Sequence, residues 1–328
     1  MMGPEQVRGG YCIMPTPAND GADRWDATDT VDLDETARLA ERLIADGADG
    51  IIALGTMGEC ATLSQEDYEK FVDCLLSTVK QRVPTFIGTT ALGSHEIVKR
   101  IRFARARGAT GTLLGIPMWQ PATLEMAVGF YTTIAEAFPD FAIMVYANSR
   151  AFRYDFSVEF WKQISKEAPT VICSKFSNRR ILRDVVSVTG GKIVLVPVAS
   201  QAHAFAEIVP EATTACWIPA VGPQPAKALM TAILSRDWQH AAKVAEDIAW
   251  AHEPIHHITA APEIFASYNI QLEKTVMESS GYCKAGPVRP PYNVIPKDHQ
   301  EAARECGKRF ARLREKYVTA TASLASSR

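Results

Sequence analysis

Two hydrophobic periods alternate along most of this chain, and that alternation restricts the fold more than any other feature. Short apolar runs recur at Ile51–Leu54, Pro84–Gly88, Gly111–Leu114, Ala142–Tyr146, Thr170–Lys175, Lys192–Val196 and Thr213–Ile218. Several are continuously apolar, as parallel strands covered on both faces should be. Between them lie stretches with helical spacing. In 31–46, Leu33, Ala37, Ala40, Leu43 and Ile44 fall on one stripe that stops at Gly47. Ser64 opens the stretch 64–80 with Asp67 three residues on, in the manner of a capping box. His95–Arg107 and Thr123–Phe138 follow suit and stop near Gly108 and Pro139. With a first strand at Gly9–Met14, eight strands are expected, seven of them followed by a helix. That pattern predicts an α/β fold, a (β/α)₈ TIM barrel. A doubly wound sheet competes, but it needs a Gly-rich phosphate loop after the first strand, where this chain has Ile13-Met14-Pro15-Thr16-Pro17.

After about residue 225 the strand signal vanishes. Ala226–Ser235, Trp238–Ala251, Pro262–Ser280 and Lys297–Tyr317 all read as helices. The predicted organisation is a barrel with the catalytic site over residues 1–225 and a C-terminal helical extension over 226–328. Charge narrows the partners: 35 Lys and Arg stand against 37 Asp and Glu. A nucleic-acid groove or an anionic membrane would need a basic excess, so neither is expected. The seven cysteines are scattered, odd in number and without a C-x-x-C pair, which predicts reduced thiols. No leader-like apolar stretch follows Met1, and no run of 18 apolar residues occurs later. The expectation is a soluble, cytoplasmic protein.

A barrel places its active site at the C-terminal ends of the strands, and that rule selects few residues. The Thr170–Lys175 run ends in a lysine. Burial there would favour the neutral amine, the form that attacks a carbonyl; the competing reading is a strand-end lysine that snorkels to solvent. Tyr146 ends the preceding strand, and neighbouring strands lie about 4.8 Å apart, so its phenol can reach toward Lys175. A phenol beside an amine can shuttle the protons of carbinolamine formation, or the ring can simply pack. Thr56, in Gly55-Thr56-Met57-Gly58-Glu59, can relay a proton or bind a carboxylate through its hydroxyl and nearby amides, or serve only its turn. Three suitable groups on three strand ends point further than any one of them.

These residues carry a resemblance. Gly55-Thr56-x-Gly58-Glu59, then Tyr146, then Lys175 resembles the dihydrodipicolinate synthase / N-acetylneuraminate lyase superfamily. Ile13-Met14-Pro15-Thr16-Pro17, Gly58-Glu59-Cys60-Ala61-Thr62-Leu63, Pro117-Met118-Trp119 and Tyr146-Ala147-Asn148 resemble its trans-o-hydroxybenzylidenepyruvate hydratase-aldolase branch. So do Tyr268-Asn269-Ile270, Leu272-Glu273-Lys274 and Arg289-Pro290-Pro291-Tyr292-Asn293, and such blocks run from about residue 11 to 296. The resemblance implies a barrel with a C-terminal helical region, a homotetramer, and cleavage of an aryl-substituted benzylidenepyruvate to an aromatic aldehyde and pyruvate. It implies a covalent imine with the 2-oxo acid on Lys175, with no metal or organic cofactor. Tyr146 would be the proton relay, and Thr56 would position it or the carboxylate. Asn148 and Asn269 match positions near the distal substrate and its water, and Met57 and Trp119 would also bind substrate. Independently of the resemblance, Trp217 at the end of the last strand could form a wall against the aryl ring, with packing or capping as the plain alternative for Asn148, Trp217 and Asn269.

The chain also departs from that pattern. Met57 stands where the synthases have a second Thr, and Ser149-Arg150 replaces the usual Pro-Glu. Pro197-Val198-Ala199-Ser200-Gln201 lacks the expected His-and-acid cluster, and Trp217-Ile218-Pro219-Ala220 replaces a Ser/Gly-rich stretch. These changes leave the imine chemistry alone and bear on the aryl substituent and the water-adding step. His252-Glu253-Pro254-Ile255-His256 is a formal H-E-x-x-H zinc pattern, but Pro254 disfavours helix at Glu253, so a helix junction is expected. Two other functions stay in view. One is a superfamily synthase or sugar-acid aldolase; the other is a non-catalytic 2-oxo acid sensor, against which a reactive amine argues. Arg289 and Tyr292 are left either facing the site or joining helices.

Overall fold

The computed structural model describes residues 1–326, with side chains through Val318. Eight parallel strands are β1 (Gly9–Met14), β2 (Gly50–Ala53), β3 (Thr85–Gly88), β4 (Gly111–Leu114), β5 (Ala142–Tyr146), β6 (Val171–Lys175), β7 (Val194–Val196) and β8 (Ala215–Pro219). The helices are α1 (Leu33–Ala45), α2 (Gln65–Val79), α3 (Ser94–Ala106), α4 (Leu124–Ala137), α5 (Ser149–Phe152), α6 (Val158–Glu167) and α7 (Leu182–Thr189). They continue as α8 (Ala199–Ile208), α9 (Gln224–Leu234), α10 (Trp238–His252), α11 (His256–Thr259), α12 (Pro262–Ser279) and α13 (Lys297–Ser326).

The strands pair in the order 7-6-5-4-3-2-1-8. Between β8 and β7 the ring closes through one bridge, Val198 to Trp217, where the Trp217 N–H donates to Pro197 O at 2.9 Å. The strands are almost wholly buried, which is why they read as apolar runs rather than alternating ones. Helix starts follow side-chain chemistry: Asp32, Ser64 and Thr123 each accept the N–H three residues on. The apolar runs at 192–196 and 213–218 yield strands two residues shorter at the front. A turn closes from the Lys192 N–H to Thr189 O, and a 3₁₀ turn fills Pro210–Ala212.

Helix α9 packs on β1 and β8 as the eighth barrel helix. Beyond it, α12 packs against α13 and lies across the mouth of the barrel. Among the described residues no helix is long and apolar enough to cross a membrane.

The H-E-x-x-H segment is a junction, as Pro254 requires. His252 ends α10, Glu253–Ile255 forms a 3₁₀ turn and His256 begins α11. Glu253 is engaged by Arg309 at 2.8 Å, and the His252 ring stands edge-on to Phe310 at 4.9 Å. Burial, aided by His256, pushes the His252 imidazole down to about 4. The folded chain therefore holds His252 neutral where the unfolded chain would protonate it. Its contribution is complete above pH 6.5 and is lost as pH falls from 6.5 toward 4. Melting temperatures measured across that window should fall less steeply in His252→Leu than in the native chain.

Candidate active site

The C-terminal ends of β2, β5, β6 and β8 open into one cavity of about 480 Å³, roofed by α12. Lys175 and Tyr146 are register partners at the last position of β6 and β5. The Lys175 Nζ lies between two rings, 4.6 Å from the Tyr146 centroid and 4.2 Å from that of Trp217. Both rings are within cation–π range and hold the nitrogen between them.

The Tyr146 hydroxyl is held from two sides. Thr56 Oγ1 lies 3.0 Å away and Asn148 Nδ2 donates at 3.3 Å. Burial alone would raise this phenol. Lys175, with hydrogen bonds from Thr56, Asn148 and Lys175 itself, outweighs burial and brings it below the usual phenol range. Phe152 fixes the ring edge-on at 5.2 Å, and Asn148 doubles as the cap of the short α5.

Thr56 comes from a tightly wound loop after β2. Leu54 and Glu59 both have φ near +55°, unusual for residues with a Cβ. Gly58 lies between them, and a Cβ there would stand 2.7 Å from Leu54 N. That close approach, rather than flexibility, is the reason for the second glycine of Gly-Thr-x-Gly-Glu. The backbone N–H groups of Thr56 and Met57 have no hydrogen-bond partner among the described residues, and both residues line the cavity.

A buried ion cluster holds the loop to the helical region. Glu59, fully buried, meets Lys274 of α12 at 3.0 Å and Arg289 at 2.6 Å. The Arg289 backbone N–H also donates to Glu59 at 2.8 Å, and the Lys274 ammonium donates to Pro287 O at 2.7 Å. Arg289 Nε donates to Thr30 Oγ1, whose hydroxyl donates onward to Asp67 at 2.6 Å. Arg289 is thus part of the frame around the site. Tyr292 lines a smaller chamber of about 280 Å³ that shares Thr56, Tyr146 and Asn269 with the main cavity.

Of the residues singled out in the sequence, Lys175, Tyr146, Thr56, Met57, Asn148, Trp217 and Asn269 converge on the cavity. Trp119 does not. It is 75% exposed and lines an outer groove with Leu92, Pro121 and Met126, because the loop after β4 turns away from the barrel axis. Three further lining residues, Arg150, Phe265 and Glu273, were not among those expected to touch substrate. Phe265, Asn269 and Glu273 recur every four residues of α12, so that spacing was the available clue once Asn269 was chosen. Arg150 stands 5.2 Å from the Phe265 ring at the cavity mouth. Glu273 is half-buried, and burial pushes its carboxyl up to about 7 against the opposing pull of Lys175.

A barrel with an amine at the end of its sixth strand, flanked by a phenol and two uncommitted amides, defines a site for carbonyl–amine chemistry. The chain belongs to the dihydrodipicolinate synthetase family, whose profile matches residues 23–309. It is 41% identical over 319 residues to the trans-o-hydroxybenzylidenepyruvate hydratase-aldolase of Pseudomonas putida, covering 95% of this chain and 96% of that one. It is 36% identical over 316 residues to the trans-2'-carboxybenzalpyruvate hydratase-aldolase of Nocardioides sp. strain KP7, covering 94% of this chain and 95% of that one. Among solved structures, PhdJ bound to a substrate intermediate superposes with a TM-score of 0.92 at 31% identity, covering 96% of this chain and 99% of PhdJ.

Proposed function

We propose that this chain is a Schiff-base hydratase-aldolase, converting an aryl-substituted benzylidenepyruvate and water to an aromatic aldehyde and pyruvate through an imine on Lys175. The observation that carries the reading is Lys175 Nζ set against a Tyr146 whose hydroxyl is held by both Thr56 and Asn148. Similarity to the hydratase-aldolase relatives over 94–96% of both chains supports it.

The Lys175 amine attacks the C2 ketone, and loss of that oxygen as water leaves an iminium conjugated with the alkene. The iminium withdraws electrons from the ring-bearing alkene carbon, where water adds. Removal of the new hydroxyl's proton then breaks the carbon–carbon bond, releasing the aldehyde and leaving a pyruvate enamine. Protonation at carbon and hydrolysis return pyruvate and the free amine. Tyr146 is the proton relay, placed by Thr56. The free amides of Thr56 and Met57 suit the 2-oxo acid's carboxylate. Trp217 forms a wall for the conjugated chain, and Asn148 and Asn269 hold the distal oxygen. Arg150 and Phe265 at the mouth face the ring substituent. The imine is itself the electron sink, so no metal or organic cofactor takes part. The enzyme is expected to act in the cytoplasm as a homotetramer, with the exposed Leu92, Trp119 and Met126 groove as subunit contact.

The reading is tested by incubation with trans-o-hydroxybenzylidenepyruvate and trans-2'-carboxybenzalpyruvate. Loss of the conjugated absorbance should match release of pyruvate and aldehyde, one for one. An enzyme that cleaves neither, but condenses pyruvate with a small aldehyde, would belong with the synthases instead. Tyr146→Phe keeps the ring packing against Phe152 and removes only the hydroxyl. It should lower kcat by about 10²–10⁴, the usual worth of a positioned proton donor, with KM little changed.

A further inference from the structure

We propose that Glu273 is a catalytic acid of this site: it protonates the departing hydroxyl of the Lys175 carbinolamine and then stands as the counter-charge of the iminium. The inference rests on the imine reading above. Glu273 and Glu59 are the two carboxyls lining the paired chambers, and Glu59 is committed to Lys274 and Arg289. The Glu273 carboxyl has no hydrogen bond or ion pair among the described residues; its charge interacts with Lys175 across the cavity and with Cys306 of α13.

Its aim is fixed by its neighbour. Successive helix residues point about 100° apart. Lys274 is tied to Glu59 and Pro287 on one side of α12, which leaves Glu273 on the cavity face, one turn beyond Asn269. The charged and titratable groups facing that space are Lys175 from β6, Tyr146 from β5, Arg150 from α5 and Cys306 from behind. Tyr146 already has Thr56 and Asn148 as hydrogen-bond partners. An uncommitted carboxyl is therefore a second proton source in the same cavity.

The step conserves charge. Neutral amine adds to the C2 ketone, giving a neutral carbinolamine beside the Glu273 carboxylic acid. The carbinolamine hydroxyl takes the Glu273 proton and leaves as water, while the nitrogen lone pair closes the C=N⁺ bond. A neutral pair becomes an ion pair whose members both line the cavity, so neither charge is left alone in it. Burial holds the carboxyl near 7, where it is available as an acid at neutral pH.

The test uses the full-length enzyme with pyruvate alone, timing imine formation by borohydride quench from pH 5.5 to 8.5. The native enzyme should show a limb near pH 7. Glu273→Gln, nearly isosteric and severing no ion pair, should form the imine about 10²-fold more slowly and lack that limb. Glu273→Asp should recover part of the rate with the limb restored. Native-like rates with the limb intact in Glu273→Gln would overturn the assignment and leave the imine mechanism standing. A uniformly slower rate with the limb unchanged would also overturn it, marking a structural role. Failure of the native enzyme to trap pyruvate on Lys175 would remove the imine reading itself, and this step with it.

Discussion

Lys175→Ala is expected to lower kcat/KM for an arylidene pyruvate by about 10⁴–10⁶-fold while leaving the fold intact. The magnitude follows from the role: without the amine no iminium forms, and the remaining groups only bind and polarise. Tyr146, Thr56 and Asn148 would still surround the ketone, but none can create the electron sink that both water addition and carbon–carbon cleavage require. Stability should change little. Lys175 is half-exposed, sits at the last residue of β6, and its named contacts are the two rings rather than an ion pair. Lys175→Arg should be nearly as inactive, because a guanidinium keeps its proton and cannot attack a carbonyl. Steady-state cleavage assays beside thermal melts separate the two effects. A melt unchanged within a few degrees, with activity gone, is the expected pair of results.

Glu59→Ala should be the most destabilising single change around the site, by about 3–5 kcal/mol. The substitution leaves Lys274 and Arg289 buried together without their shared carboxylate. The Asp67 carboxylate, reached through Thr30, offsets only part of that charge. A loss of this size is a large fraction of the 5–15 kcal/mol that holds a typical domain together. It should also cost activity, since the same cluster anchors the Thr56 loop, the 287–289 strap and α12. Urea unfolding of Glu59→Ala and Glu59→Gln, compared with the native chain, gives the measurement. A ΔΔG below about 1 kcal/mol would mean the cluster is not the anchor described here.

That cluster marks the boundary of what the residues disclosed in advance. The barrel was legible because buried parallel strands write themselves as short apolar runs, and helix caps such as Asp32 and Ser64 write themselves in three-residue spacings. Lys175 and Tyr146 were legible because a polar group at a strand's end has few structural reasons to be there. Glu59, by contrast, lies 215 residues from Lys274 and 230 from Arg289, and no local pattern links them. The final residue of Gly-Thr-x-Gly-Glu thus points away from the chemistry, into the frame. Glu273 was hidden for the opposite reason. Leu272-Glu273-Lys274 carries the family resemblance as a block, and only the ion pair of Lys274 decides which of its two charges faces the cavity. Trp119 misled because aromatic character indicates apolar contact without saying which surface provides it; its loop leaves the barrel.

The most direct test of the central claim is mass spectrometry of the protein after pyruvate and borohydride treatment, intact and after proteolysis. One reduced pyruvate adduct per chain, located on Lys175 and absent from Lys175→Ala, is the predicted result. An unmodified chain, or an adduct that persists in Lys175→Ala, would contradict the imine mechanism and leave the cavity a binding site for 2-oxo acids.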